Sequence, residues 1–84
     1  MAEISAWRVN DVVAYDVMRE SATTLTALLV EDANFGAARV DIVTAEIAQW
    51  RHEVLTVPAY DRVAVTALAE RIDSRIAELS GPAT

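Results

Sequence analysis

His52, the single histidine, is the first residue to consider for chemistry, because an imidazole titrates near neutral pH. It lies between Arg51 and Glu53, and the residues one turn earlier are Ala48 and Gln49. A metal site on a helix needs a second imidazole or carboxylate three or four residues away on the same face, and neither residue supplies one. We therefore interpret His52 as a solvent-facing residue near the end of a helix.

Neighbouring carboxylates are the next candidates, and they occur as Asp16 with Glu20 and as Glu31 with Asp32. Helical bundles that bind two metal ions use glutamates together with Glu-x-x-His, and the residue three before His52 is a glutamine. The sequence contains no cysteine and none of the motifs GxxxxGK, GxGxxG, HExxH and GxSxG. It predicts no catalytic residue, no metal and no cofactor.

A small helical enzyme is the alternative to this interpretation. Catalysis would need a serine, a threonine or a carboxylate brought beside His52 from another helix. A cleft that encloses His52 with Tyr60 or with a carboxylate would support that alternative.

Three segments of helical periodicity must position all of these residues. The first helix is predicted over 5–31, with Ser5 as its N-cap. The alternative is a later start at Asn10 followed by Asp11, which would leave 1–9 as an arm. Its inward row is Tyr15, Met18, Ala22, Leu25 and Leu29. A second apolar set lies on a neighbouring face of this helix and consists of Val9, Val13, Val17 and Leu28. The apolar surface of the first helix is therefore wider than a single stripe.

The second and third helices are predicted over 37–55 and 58–79, with 80–84 as a tail. Asn34 and Gly36 favour a tight turn before the second helix, and Pro58 suits the first turn of the third, with Thr56 or Val57 as its cap. Ser80-Gly81-Pro82 ends the third helix. The inward rows are Val40, Val43, Ile47, Trp50 and Val54 in the second helix and Val65, Leu68, Ile72, Ile76 and Leu79 in the third.

These segments predict a single small all-α domain, either a helical hairpin or a three-helix bundle, which completes its core by oligomerisation or by binding a partner. The frequent β-branched residues leave a strand open as an alternative at Val54 to Val57 or at Val9 to Val13.

Composition limits the partners of this domain. The net charge is −6, and the seven arginines, which are the only basic residues, are scattered among thirteen carboxylates, so we expect no direct binding of nucleic acid. No run is long and apolar enough to span a membrane, and the N-terminus does not resemble a secretory signal. Arginine without lysine indicates a GC-rich coding sequence, such as that of an actinobacterium or its phage. We expect a cytoplasmic protein, or one of the host cytoplasm or virion if a phage encodes it.

The excess of apolar and aromatic residues predicts a non-enzymatic protein–protein interaction module, with the chain itself (a homo-oligomer) or another protein as its partner. The predicted interaction surface lies on the first helix and comprises Trp7, Val13, Val17, Met18, Leu25 and Leu28. Two roles stay open. One is a phage or bacterial assembly component, and the other is an acidic inhibitor, such as an antitoxin, immunity or anti-defence protein. The inhibitor role predicts a contiguous acidic patch, made of Asp11, Asp16, Glu20, Glu31 and Asp32.

Overall fold

The structure, a computed structural model, describes the backbone of residues 2–34 and 36–81 and the side chains of 12–34 and 36–81. It contains three α-helices, which are α1 (Ala2–Ala33), α2 (Ala37–Thr56) and α3 (Arg62–Ser80). The described backbone has no strand, and both stretches considered for one are helical up to Thr56. The predicted all-α fold is confirmed, and of the two arrangements the chain adopts the three-helix bundle.

The core lies where α1 packs against both α2 and α3. Seven of the described side chains are buried in it, which are Met18, Leu25, Leu29, Val43, Val65, Leu68 and Ile72. The other members of the predicted inward rows pack around these seven, apart from Val40, which is among the exposed residues. The 3.6-residue periodicity of the sequence therefore identifies the side of each helix that faces the core.

The turn between α1 and α2 is short, as the sequence predicts. The Asn34 amide donates to the Glu31 carbonyl at 3.1 Å, and Gly36 has a φ of 152°. A residue with a side chain rarely adopts that backbone angle, which explains the glycine at the start of α2. Phe35 lies outside the described residues.

The connection between α2 and α3 differs from the prediction. Thr56 ends α2, and its hydroxyl donates to the His52 carbonyl of that helix at 2.8 Å, so it does not cap α3. Pro58 lies in the connection rather than in the first turn of a helix. The Asp61 amide donates to the Pro58 carbonyl at 3.0 Å, and the Asp61 side chain accepts from the Ala64 amide at 3.1 Å. Asp61 is therefore the N-cap, and α3 begins after it.

Removing this cap tests the observed start of α3. We expect Asp61→Ala to lower the free energy of unfolding by about 1 kcal/mol, because an orphan amide of the first turn loses its acceptor. Asp61→Asn keeps an acceptor oxygen and is expected to cost much less. Urea denaturation followed by circular dichroism measures both variants. Equal stability of Asp61→Ala and the wild type would mean that α3 begins elsewhere.

The first helix is the longest of the three. It has 32 residues and α2 has 20, so at about 1.5 Å per residue α1 is longer by about 18 Å. Among the described side chains of α1, the first that packs against the core belongs to Ala14. Because a short turn joins the end of α1 to the start of α2, the backbone of the N-terminal part of α1 extends past the end of α2.

Candidate interaction surface

Two of the predicted interaction residues, Met18 and Leu25, lie inside the bundle. Their exposed fractions are 0% and 1%, and they pack in the core formed by the three helices of the same chain. They cannot contact a partner while the bundle is folded, which removes them from the predicted surface. The sequence shows that this row of α1 is buried, but its periodicity is the same whether the row faces the chain's own helices or another protein.

The rest of the predicted surface is accessible where it is described. Val13 and Val17 are 53% and 51% exposed, and Leu28 is partly buried. The side chain of Trp7 lies outside the described residues. Val13, Val17 and Leu28 therefore form the described part of the second apolar face of α1.

Several large apolar side chains of the other segments are also exposed, and Leu55 is one of the most exposed at 78%. It lies in the last turn of α2, beside an open groove that runs between α1 and α2 and has a volume of about 580 Å³. Small and apolar residues line much of the groove: Ala22, Thr23, Thr26 and Ala27 from α1, and Val54 and Leu55 from α2. The sequence marks Val54 as inward and gives no sign that Leu55 borders a groove, because a groove depends on how far apart two helices pack.

The two threonines of this groove do not leave unsatisfied hydroxyl groups. The Thr23 hydroxyl donates to the Arg19 carbonyl at 3.1 Å, and the Thr26 hydroxyl donates to the Ala22 carbonyl at 2.9 Å. Because each hydroxyl already donates a hydrogen bond within α1, a partner that covers these residues would not leave a buried hydroxyl without an acceptor. The α1 side of the groove therefore behaves as a largely apolar surface.

Trp50, Arg19 and Arg51 complete the described lining of the groove, and no carboxylate with a described side chain lines it. Three other arginines form ion pairs, which are Arg39, Arg71 and Arg75. Neither Arg19 nor Arg51 forms an ion pair with any residue whose side chain is described. The groove is therefore locally positive, although the chain carries a net charge of −6.

A polar network joins α2 to α3 on another face of the bundle. Glu46 accepts two hydrogen bonds from Arg75, at 2.7 Å from Nε and 2.9 Å from the second terminal nitrogen, and one from Trp50 Nε1 at 3.0 Å. Arg75 also donates to Glu78 at 2.9 Å, as expected for an i, i+3 pair. The Arg75 hydrogen bonds hold the pKa of Glu46 below its ordinary value, and Glu46 in turn raises the pKa of Arg75.

A second pair repeats this arrangement nearer the end of α2. One terminal nitrogen of Arg71 donates to a Glu53 oxygen at 2.8 Å, and the other lies 2.6 Å from the second oxygen as an ion pair. The guanidinium carbon of Arg71 lies 5.4 Å from the centre of the Trp50 ring. The hydrogen bond from Arg71 lowers the pKa of Glu53. Each arginine of the network is matched by a carboxylate, so the network holds α2 to α3 and leaves no unmatched arginine to attract a ligand. In the sequence, Glu46 and Glu53 lie outside the inward apolar row of the second helix. Nothing in their spacing predicts that they bind arginines of α3.

The structure does not bring His52 and Tyr60 together in any of the three surface depressions between described side chains. His52 and Tyr60 are exposed, and neither lines the groove or the two smaller depressions on the α2 and α3 side. Within residues whose side chains the structure describes, no three histidines or carboxylates lie close enough together to hold a metal ion.

The carboxylates predicted to form one acidic patch are separated in the structure. Asp16 and Glu20 are exposed one turn apart on α1, whereas Glu31 lies about 16 Å further along the same helix. Asp32 pairs with Arg39 at 3.3 Å. The side chain of Asp11 lies outside the described residues. Only Asp16 and Glu20 therefore form a local acidic cluster among the described members of the set.

The described part of the chain is thus a three-helix bundle with an apolar groove between α1 and α2 that two arginines flank. None of its described helices is long and apolar enough to cross a membrane. Comparison with protein-family models, with curated proteins and with solved structures found no match.

Proposed function

We propose that the protein is a non-enzymatic helical interaction module, which binds a helix of a partner in the groove between α1 and α2. The observation that carries the proposal is the groove itself, with Leu55 exposed at its edge. Covering this surface removes apolar area from water, which contributes roughly 25 cal/mol per Å² before the costs of association.

The shape and chemistry of the groove support a helix as the occupant. Two helices that a short turn joins bound it, and alanine and threonine let a third helix approach closely. The threonine hydroxyls are already bonded within α1, so the occupant needs no matching polar groups there. An amphipathic helix that lays apolar side chains into a groove is a recurring mode of recognition.

Of the two roles left open by the sequence, we propose the assembly component, acting in the cytoplasm or, for a phage protein, in the host cell or virion. The inhibitor role predicts a contiguous acidic patch, and the described carboxylates are spread along α1. The apolar groove, in contrast, is the kind of surface with which an assembly component packs against its neighbours.

Site-specific photo-crosslinking in cells tests whether the groove binds protein. A benzophenone side chain at position 55 is expected to form covalent products in good yield, because Leu55 borders the groove. Val63 is the matched control, since it is equally apolar, 81% exposed and located on α3. We expect little product from position 63, and the two positions are compared by mass spectrometry of the purified chain.

The comparison of crosslinking at positions 55 and 63 either supports or overturns the proposed function. A specific product at position 55 that is absent at position 63 supports it, whatever the identity of the partner. Equal or negligible crosslinking at both positions would overturn it.

A further inference from the structure

We infer that the occupant of the groove is α1 of a second copy of this chain, packed antiparallel to the first copy's α1 in a closed twofold dimer. The inference rests on the proposed function, because it names the partner of the same groove. It follows from complementary charges on one helix and from the extra length of that helix.

An exposed stripe of mixed polar and apolar residues runs along one face of α1. Its residues alternate at intervals of four and three along the face beside the groove, and they are Val12, Asp16, Arg19, Thr23, Thr26 and Val30. All of them are exposed except Thr26, which is partly buried. Such alternation places the six residues on one face of the helix. Because this face is not covered within the chain, it is available to a second helix.

The charges on this stripe select one antiparallel register. In a twofold pair whose axis passes midway between Asp16 and Arg19, the Asp16 of each copy lies opposite the Arg19 of the other. Neither residue forms an ion pair with a described residue in its own chain. The twofold makes both pairs at once, which is the self-complementarity that an isologous interface requires. In the same register each Val12 lies opposite Thr23 of the other copy.

The length of α1 fits this arrangement. In the register set by the charges, residues 2–13 of one copy run beside residues 22–33 of the other. The second range contains four of the groove residues of α1: Ala22, Thr23, Thr26 and Ala27. The backbone of the first range therefore runs along the groove of the second copy, and the reverse contact forms at the same time. A stable dimer buries about 800 Å² of the accessible surface of each partner. For this chain that area is roughly one-seventh of its 5973 Å² accessible surface.

Charge reversal of the two stripe residues tests the inference. The dissociation constant of the dimer is measured by analytical ultracentrifugation over a concentration series, for the wild type, Asp16→Arg, Arg19→Asp and the double variant. We expect a wild-type dimer, and at least about tenfold weaker association for each single variant, because like charges then face each other across the axis. The double variant restores opposite charges and is expected to recover the wild-type constant.

Asp16→Arg separates this pairing from a general charge effect. It reduces the net negative charge of an acidic chain, so simple repulsion between copies predicts tighter association, whereas the proposed pairing predicts weaker association. Arg62→Asp is the control, because Arg62 is another exposed arginine without an ion pair to a described residue, and it lies on α3. It is expected to leave the dissociation constant unchanged.

Leu55→Asp provides a readout that does not depend on the charged pair. Leu55 is mostly exposed, so the variant is expected to fold, which circular dichroism checks, and to be monomeric. A monomeric wild type, or a double variant as weak as its single parents, would overturn the inference. If the wild type is monomeric and position 55 still crosslinks to a different protein in cells, the second copy is excluded while the proposed function stands.

Discussion

Replacing Ile72 with alanine is expected to lower the free energy of unfolding by about 2 to 5 kcal/mol. Ile72 is 0% exposed and packs in the core formed where α1 meets α2 and α3. Truncation removes its transfer free energy and leaves a cavity that the surrounding helices fill only in part. A domain of this size has a stability of only a few kcal/mol, so the variant is expected to be partly unfolded at room temperature.

Denaturation by urea, followed by circular dichroism, gives the free energy of unfolding for this comparison. Val63→Ala is the control on the same helix, because its side chain is 81% exposed and makes no part of the core. It is expected to change the stability by less than about 0.5 kcal/mol. If both substitutions cost the same, the assignment of the inward face of α3 would be incorrect.

The success of the sequence-based prediction for Ile72 has a simple physical origin. A helix that packs on one side repeats its apolar residues every three or four positions, and this repeat survives whatever the neighbours are. Residues such as Ile72, Leu68 and Val65 can therefore be assigned to the core from the chain alone. The same reasoning located all three helices.

The start of α3 illustrates where such reasoning loses accuracy. Both Pro58 and Asp61 are residues that favour the beginning of a helix, and the sequence does not say which one wins. In the structure the Asp61 carboxylate bonds the Ala64 amide, and the proline is left in the connection. A side-chain cap satisfies an orphan amide, whereas proline only removes one, so the local competition is decided by hydrogen bonding.

The interaction surface was harder to predict, because it depends on how the helices pack against each other. Met18 and Leu25 on one side and Val13 and Val17 on the other are similar apolar residues on one helix. Only the positions of α2 and α3 decide that the first pair is buried and the second pair exposed. The groove beside Leu55 arises in the same way, since it is the space left between two packed helices.

The polar network between α2 and α3 predicts that the stability of the bundle depends on the charge of Glu46. We expect Glu46→Gln to destabilise the bundle by about 1 to 2 kcal/mol at pH 7, because the amide loses the charge-assisted hydrogen bonds with Arg75. Glu78→Gln is the matched control, since Glu78 binds the same arginine but is 65% exposed. It is expected to cost less than about 0.5 kcal/mol. Equal effects of the two substitutions would mean that Arg75 is not part of a link between helices.

The pH dependence of stability is a second test of the link between Glu46 and Arg75. In the folded chain the hydrogen bonds from Arg75 lower the pKa of Glu46 below its ordinary value of 4.5. The folded state therefore binds the proton less readily than the unfolded state. The stability that the ionised carboxylate contributes is present above pH 4.5 and is lost as the pH falls through the lowered pKa. Glu53, whose pKa is lowered by Arg71, adds a loss of the same sign.

Urea denaturation at a series of pH values between neutral and strongly acidic measures this dependence. The wild type is expected to lose stability in the acid range, and Glu46→Gln is expected to lose less, because its amide does not titrate. The two curves should therefore converge at low pH, where Glu46 of the wild type is protonated and resembles the amide. Parallel curves, with the variant less stable by the same amount at every pH, would show that the lost stability comes from packing and not from the carboxylate. Convergence would identify the ionised Glu46 as the group that holds α2 against α3.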